Sequence, residues 1–133
     1  MKILHIGDVV GAAGCQFLEK HLPSMKRTHH IDLTIVNGEN SAQGNGITKH
    51  SMEQIFSAGA DVITTGNHCF KRRESLAIYD EPMVLRPANY PDGCVGKGVC
   101  TVDFGPCQVA VVNLSGAITS TTAPSNCATA TAK

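Results

Sequence analysis

Three short β-prone runs, Ile3–Ile6, Leu33–Val36 and Asp61–Thr65, are separated by stretches long enough for a helix and patterned for one. Parallel strands need crossovers of that length, so the alternation predicts βαβ units feeding a parallel sheet. The first run ends at Gly7-Asp8. In the stretch that follows, Leu18, Leu22 and Met25 share a helical face, with Pro23 expected to break or restart the helix. After the polar, glycine-rich segment Asn37–Gly46, Thr48 is placed to cap a second helix. Met52, Ile55 and Phe56 lie on one side of it and Gly59 sits at its end. Lys71–Asp80 is expected to form a short helix, and Val84-Leu85, Val99–Phe104 and Val109–Leu114 to form later strands. Pro91-Asp92-Gly93 and Gly105-Pro106 supply turns between them.

A chain of 133 residues holds one modest domain. Its 11 Lys plus Arg balance 11 Asp plus Glu, so there is no bulk field to draw it onto nucleic acid or anionic lipid. No window approaches the roughly 20 apolar residues that cross a bilayer, and Asp8 interrupts any signal-like core, so a cytoplasmic protein is expected. Its six cysteines are accordingly expected to be reduced. From Ala117 onward 12 of 17 residues are Ala, Thr or Ser, which predicts a disordered, low-complexity tail over residues 117–133. A sheet that stops gaining strands at Leu114 reads as a domain cut short.

Each of the first three strands delivers polar residues at its carboxyl end: Asp8, then Glu39 and Asn40, then Asn67 and His68. In open parallel sheets such ends line one crevice. Two carboxylates and two carboxamides are hard oxygen donors suited to Mg, Mn or Fe, and Glu39 is placed to bridge a pair of ions. Facing carboxylates repel unless a cation lies between them, which favours a metal over an empty acidic pair. His68 is the one histidine in this constellation, and an imidazole is suited to donate a proton to a leaving alkoxide.

Blander roles exist for each residue. Asp8 and Asn67 could cap helices, Glu39 could be a solvated loop acid, Asn40 a turn residue and His68 a helix-start histidine. Coincidence at three successive strand ends weighs against all of these together. His5 is expected in the core. Gly7, Gly11 and Gly14 match neither the dinucleotide fingerprint nor the P-loop. A Cys69 nucleophile based on His68 ranks third, because adjacent side chains seldom face each other.

The segments Ile6-Gly7-Asp8-Val9-Val10-Gly11, Asn37-Gly38-Glu39-Asn40-Ser41-Ala42 with Gly44-x-Gly46-Ile47-Thr48, Thr65-Gly66-Asn67-His68 and Arg86-Pro87-Ala88-Asn89-Tyr90-Pro91 resemble the YmdB-like branch of the calcineurin-type metallophosphoesterases. The similarity spans residues 1–116. It implies the first half of a metallophosphoesterase α/β sandwich that stops short, from a dinuclear hydrolase of phosphodiesters such as 2′,3′-cyclic nucleotides. Two divalent or trivalent ions are implied, iron or manganese first, with magnesium an option. By the same resemblance Asp8 ligates the first ion, Glu39 bridges, Asn67 ligates the second, Asn40 lies in the metal shell and His68 protonates the leaving oxygen. The implied reaction is in-line attack by a metal-activated hydroxide.

Two departures from the family pattern stand out. Phe70 is followed by the basic run Lys71-Arg72-Arg73 where the family carries an acid, and that run could equally be a solvated face. The family's three further histidine ligands have no counterpart, because His68 is the last histidine. Weak or single metal binding and little turnover are therefore expected of this polypeptide alone. The alternative is a non-catalytic remnant that binds a nucleotide or a partner subunit through an uncovered sheet edge. A small phosphodiester substrate is expected, no membrane association, and a homo-oligomer is possible in either case.

Overall fold

The computed structural model describes residues 1–116. The segment expected to be a disordered tail lies outside the described residues. The elements run β1 (Ile3–Val10), α1 (Gly11–His29), β2 (Leu33–Asn40), α2 (Lys49–Ser57), β3 (Val62–Thr64), a 3₁₀ helix (Arg73–Asp80), β4 (Val84–Leu85), β5 (Val99–Asp103) and β6 (Gln108–Val112). The first four strands form one parallel sheet in the order β1-β2-β3-β4, and β5 and β6 form an antiparallel hairpin.

Strand register gives the sheet two apolar faces. Val36, Ile63 and Val84 lie side by side across β2, β3 and β4 and pack with Leu18, Leu22 and Ile55 of the two helices. Leu33, Val62 and Leu85 point the other way and meet Val111 of the hairpin, with Cys100, Val102 and Val109 around it. Strands buried on both faces read as near-continuous apolar runs, which is why β2 and β3 stand out in the sequence. On one face the two helices do the covering, and on the other the β5–β6 hairpin does.

Thr48 caps α2 as expected: its hydroxyl accepts from the Ser51 N–H while the Ser51 hydroxyl accepts from the Thr48 N–H. Gly59 (φ 111°) lies just beyond the end of that helix. Three expectations need correcting. Pro23 does not break α1, which runs unbroken through 19 residues; its first turns are held by the buried Cys15, Leu18 and Leu22, and that packing outweighs one lost backbone bond. β1 and β2 do not end at Ile6 and Val36 but continue to Val10 and Asn40, with register shifts around Asp8. His5 is exposed rather than packed: β1 is an edge strand of the described sheet, and the apolar cluster formed with the hairpin includes no β1 residue. Among the described residues no helix is long and apolar enough to cross a membrane.

Candidate functional site

The strand extensions place the site. Asp8 stands on β1 opposite Asn37, and Val10 stands opposite Asn40, so β1 and β2 deliver their polar residues to the same carboxyl edge. The register shifts on either side of Asp8 mark a bulge, a device that re-aims a side chain at a strand end. Asp8 does not cap α1, whose N-cap is Val10 without any side-chain bond. Its carboxylate instead accepts from the Asn40 amide, with Nδ2 at 2.9 Å from Oδ1 and 2.8 Å from Oδ2.

Asn40 links this pair to His68. Its Oδ1 lies 2.7 Å from His68 Nδ1. An amide oxygen only accepts, so this contact puts the proton on Nδ1 and leaves Nε2 as the nitrogen able to exchange a proton. Glu39 completes the group: its Oε2 accepts from the His68 backbone N–H at 3.1 Å and stands 3.9 Å from His68 Nδ1. Asp8, Glu39, Asn40 and His68 are thus brought together through direct contacts. Asn67 lies beside them in sequence, exposed, in the turn closed by the Cys69 N–H to Gly66 C=O bond of 3.1 Å.

That turn is anchored from below. Cys69 and Phe70 are buried, the Tyr79 hydroxyl donates to the Cys69 carbonyl at 2.7 Å, and the Phe70 ring meets Tyr79 and Tyr90 edge-on. Burial pushes the Cys69 thiol up to about 12, with smaller opposing hydrogen bonds led by Tyr90. The thiolate that a nucleophile requires is absent at neutral pH, so Cys69 holds the turn rather than reacting. Cys15, Cys100 and Cys107 are also free thiols.

Among the described residues neither Asp8 nor Glu39 forms an ion pair with Lys or Arg. Two carboxylates with no Lys or Arg counter-ion are hard oxygen donors of the kind that fit a hard cation. Among the described residues no group of three or more His, Cys, Asp or Glu is arranged so that it could hold a metal ion by itself, so the carboxamides of Asn40 and Asn67 would have to supply part of any coordination.

Three supporting residues escaped the sequence. A Cβ on Gly66 would lie 2.5 Å from Glu39 Oε2 and 2.6 Å from Oε1, so only glycine lets this backbone press against the carboxylate. The Asn113 amide donates to the carbonyls of Thr65, at 2.5 Å, and Leu85, at 3.0 Å, tying the chain after β6 to the loop that leads to His68. Arg72, read as possible solvated surface, instead binds the carbonyls of Gln43 and Asn45 and pins the loop after Asn40. A Gly44-x-Gly46 pair is a signal of close approach, but which side chain approaches is a tertiary fact.

A parallel sheet with a hairpin on one face and helices on the other, and acid, amide and imidazole groups at its carboxyl edge, is a metallophosphoesterase-like α/β fold. The chain belongs to the YmdB-like protein family, whose pattern matches residues 4–133 and so continues past Gly116. It is 41% identical over 117 residues to a protein of Bacillus subtilis (strain 168) named 2′,3′-cyclic-nucleotide 2′-phosphodiesterase, covering 87% of this chain and 44% of that one. It is 32% identical to a putative phosphatase/phosphodiesterase of Mycoplasma genitalium, over 87% and 43% of the two chains. Among solved structures it superposes on a hypothetical protein from Thermus thermophilus with TM-score 0.83 and 36% identity, over 89% of this chain and 46% of that one. A novel phosphatase from Mycoplasma pneumoniae gives TM-score 0.81 and 29% identity, over 88% and 43%. The chain thus spans less than half the length of these relatives.

Proposed function

We propose that this chain supplies part of the active site of a metal-dependent phosphodiesterase. What carries the reading is the contact series Asp8–Asn40–His68–Glu39, which gathers two carboxylates, an amide and an imidazole from two strands and a turn. In this reading Asp8, Glu39, Asn67 and Asn40 are the residues that would hold the cations. Iron or manganese fits the mixed carboxylate and amide donors, with magnesium as the harder option. When bound, the cations neutralise phosphate charge and activate water.

The protein groups divide the remaining work. Glu39 is fixed between the His68 N–H and the Gly66 backbone, so its carboxylate is oriented before any ion arrives. Asn40 must turn its amide to offer Oδ1 outward, since that atom now holds His68. With its proton on Nδ1, His68 must first take a second proton from water at Nε2, and it can then pass that proton to the departing alkoxide. A 2′,3′-cyclic nucleotide is the substrate we favour, because the Bacillus subtilis relative carries that name.

Four side-chain donors fall short of the roughly six oxygens that each such ion prefers. Titration with Mn²⁺ should therefore reveal one weak site that is lost in Glu39→Gln. An absence of binding, or binding indifferent to that substitution, would overturn the metal reading. Two tightly held ions with brisk hydrolysis of 2′,3′-cyclic AMP would overturn the shortfall in donors.

A further inference from the structure

A cavity of about 500 Å³ opens between the N-terminal turns of α1 and α2, at the same sheet edge as the acids and lined among others by Ala12, Gln16, Gln43, His50, Gln54 and Arg72. Its volume lies within the roughly 300 to 1,000 Å³ of small-molecule pockets. It neighbours the site along the chain: Asn40 is followed by Ser41, and Val10, beside Asn40 in register, leads through Gly11 to Ala12, both Ser41 and Ala12 being wall residues. No Asp or Glu lines it, in contrast to the acidic group next door.

Its walls carry both hydrogen-bonding senses. Each glutamine offers an amide donor and an amide acceptor, the combination that pairs with the edge of a nucleobase. Gln54 Nε2 donates to Glu19 at 3.3 Å, which leaves its Oε1 to accept. Arg72 is committed to the carbonyls of Gln43 and Asn45, so it shapes the wall rather than offering a free cation for a second phosphate. Carboxamides, an imidazole and a spent guanidinium suit an uncharged polar heterocycle better than an anion.

We propose that this cavity is the subsite for the nucleobase of a phosphodiester whose phosphate lies over Asp8, Glu39 and His68. The proposal rests on the phosphodiesterase reading and deepens it, by assigning Gln16 and Gln54 to recognition of the nucleoside half.

The test is an NMR titration of the full ¹⁵N-labelled chain, with Mg²⁺ present, using adenosine 3′-monophosphate, ribose 5-phosphate and inorganic phosphate. The nucleotide should shift the side-chain amides of Gln16, Gln43 and Gln54 together with the backbone of Gly66–His68, while the other two ligands shift only the backbone set. Gln16→Ala with Gln54→Ala should weaken the nucleotide about tenfold, one such hydrogen-bonding pair being worth roughly that, and leave phosphate unchanged. Silent glutamines beside a responding Gly66–His68 backbone would overturn the subsite alone. An equal glutamine response to inorganic phosphate would overturn it in favour of an anion site. Responding glutamines beside a backbone that no ligand moves would overturn the phosphate placement and keep the base subsite. No response to any ligand would overturn both.

Discussion

At the residue scale the sharpest constraint is the approach of Gly66 to Glu39. Gly66 does not have the left-handed backbone that favours glycine, so Gly66→Ala is conformationally permitted and its methyl has one serious conflict, with the Glu39 carboxylate at 2.5 Å. The substitution should lower Mn²⁺ affinity about 10- to 100-fold, as loss of a group that orients a ligand commonly does, with little change in the melting temperature. Titration calorimetry beside a thermal melt separates the two effects. A second prediction concerns pH. Burial pushes the Cys69 thiol from 9.0 to about 12, and burial aided by the neighbouring Cys69 pushes the Tyr90 hydroxyl from 10.0 to about 12. Both groups are neutral when protonated and release their protons more readily unfolded. Their stabilisation is therefore complete below about pH 9 and is lost as pH rises toward 12. Denaturant midpoints should hold steady to pH 9 and then fall, less steeply in Cys69→Ala; equal slopes would remove Cys69 from the account. Asp8, Glu39, Asn40, Asn67 and His68 were all legible as candidates from strand-end position. Gly66 was not, because a glycine's reason is the atom it touches, and that atom lies 27 residues away.

Among the elements, α2 and the loop before it show what sequence could and could not reveal. Thr48 announced the helix start through capping chemistry, the structure adds Ser51 as its reciprocal partner, and the buried Ser41 hydroxyl extends the network by donating to Ser51 Oγ at 2.9 Å. Thr48→Ala should cost about 1 kcal/mol, read from the denaturant midpoint at unchanged slope. A loss of less than a few tenths would mean that the Ser41–Ser51 pair holds the turn by itself. Strand ends were harder to place. Glu39 and Asn40 carry no apolar period, yet pairing with β1 keeps them in the strand, since ladder bonds rather than side-chain pattern decide where a parallel pair stops. Pro23 misled for a related reason: propensity is local, whereas Leu18 and Leu22 are fixed by the sheet beneath them.

For the whole molecule, the parallel sheet and its order of appearance were readable from alternating runs, but the partner of its second face was not, because nothing in β5 or β6 says which surface they will cover. The outward side of that hairpin leaves Val99 and Val112 about half exposed, and Ile3 on β1 is 49% exposed. Apolar surface of this kind beside an open strand favours association. Size-exclusion chromatography across a concentration series should show self-association that Val112→Lys reduces, whereas a monomer throughout would show that these surfaces are innocuous. The position of Asp8 has one more consequence. It belongs to the outermost strand, so any ion that seizes its carboxylate also grips the rim of the sheet. Loading should slow amide exchange along β1, and a chelator should loosen the strand together with the site.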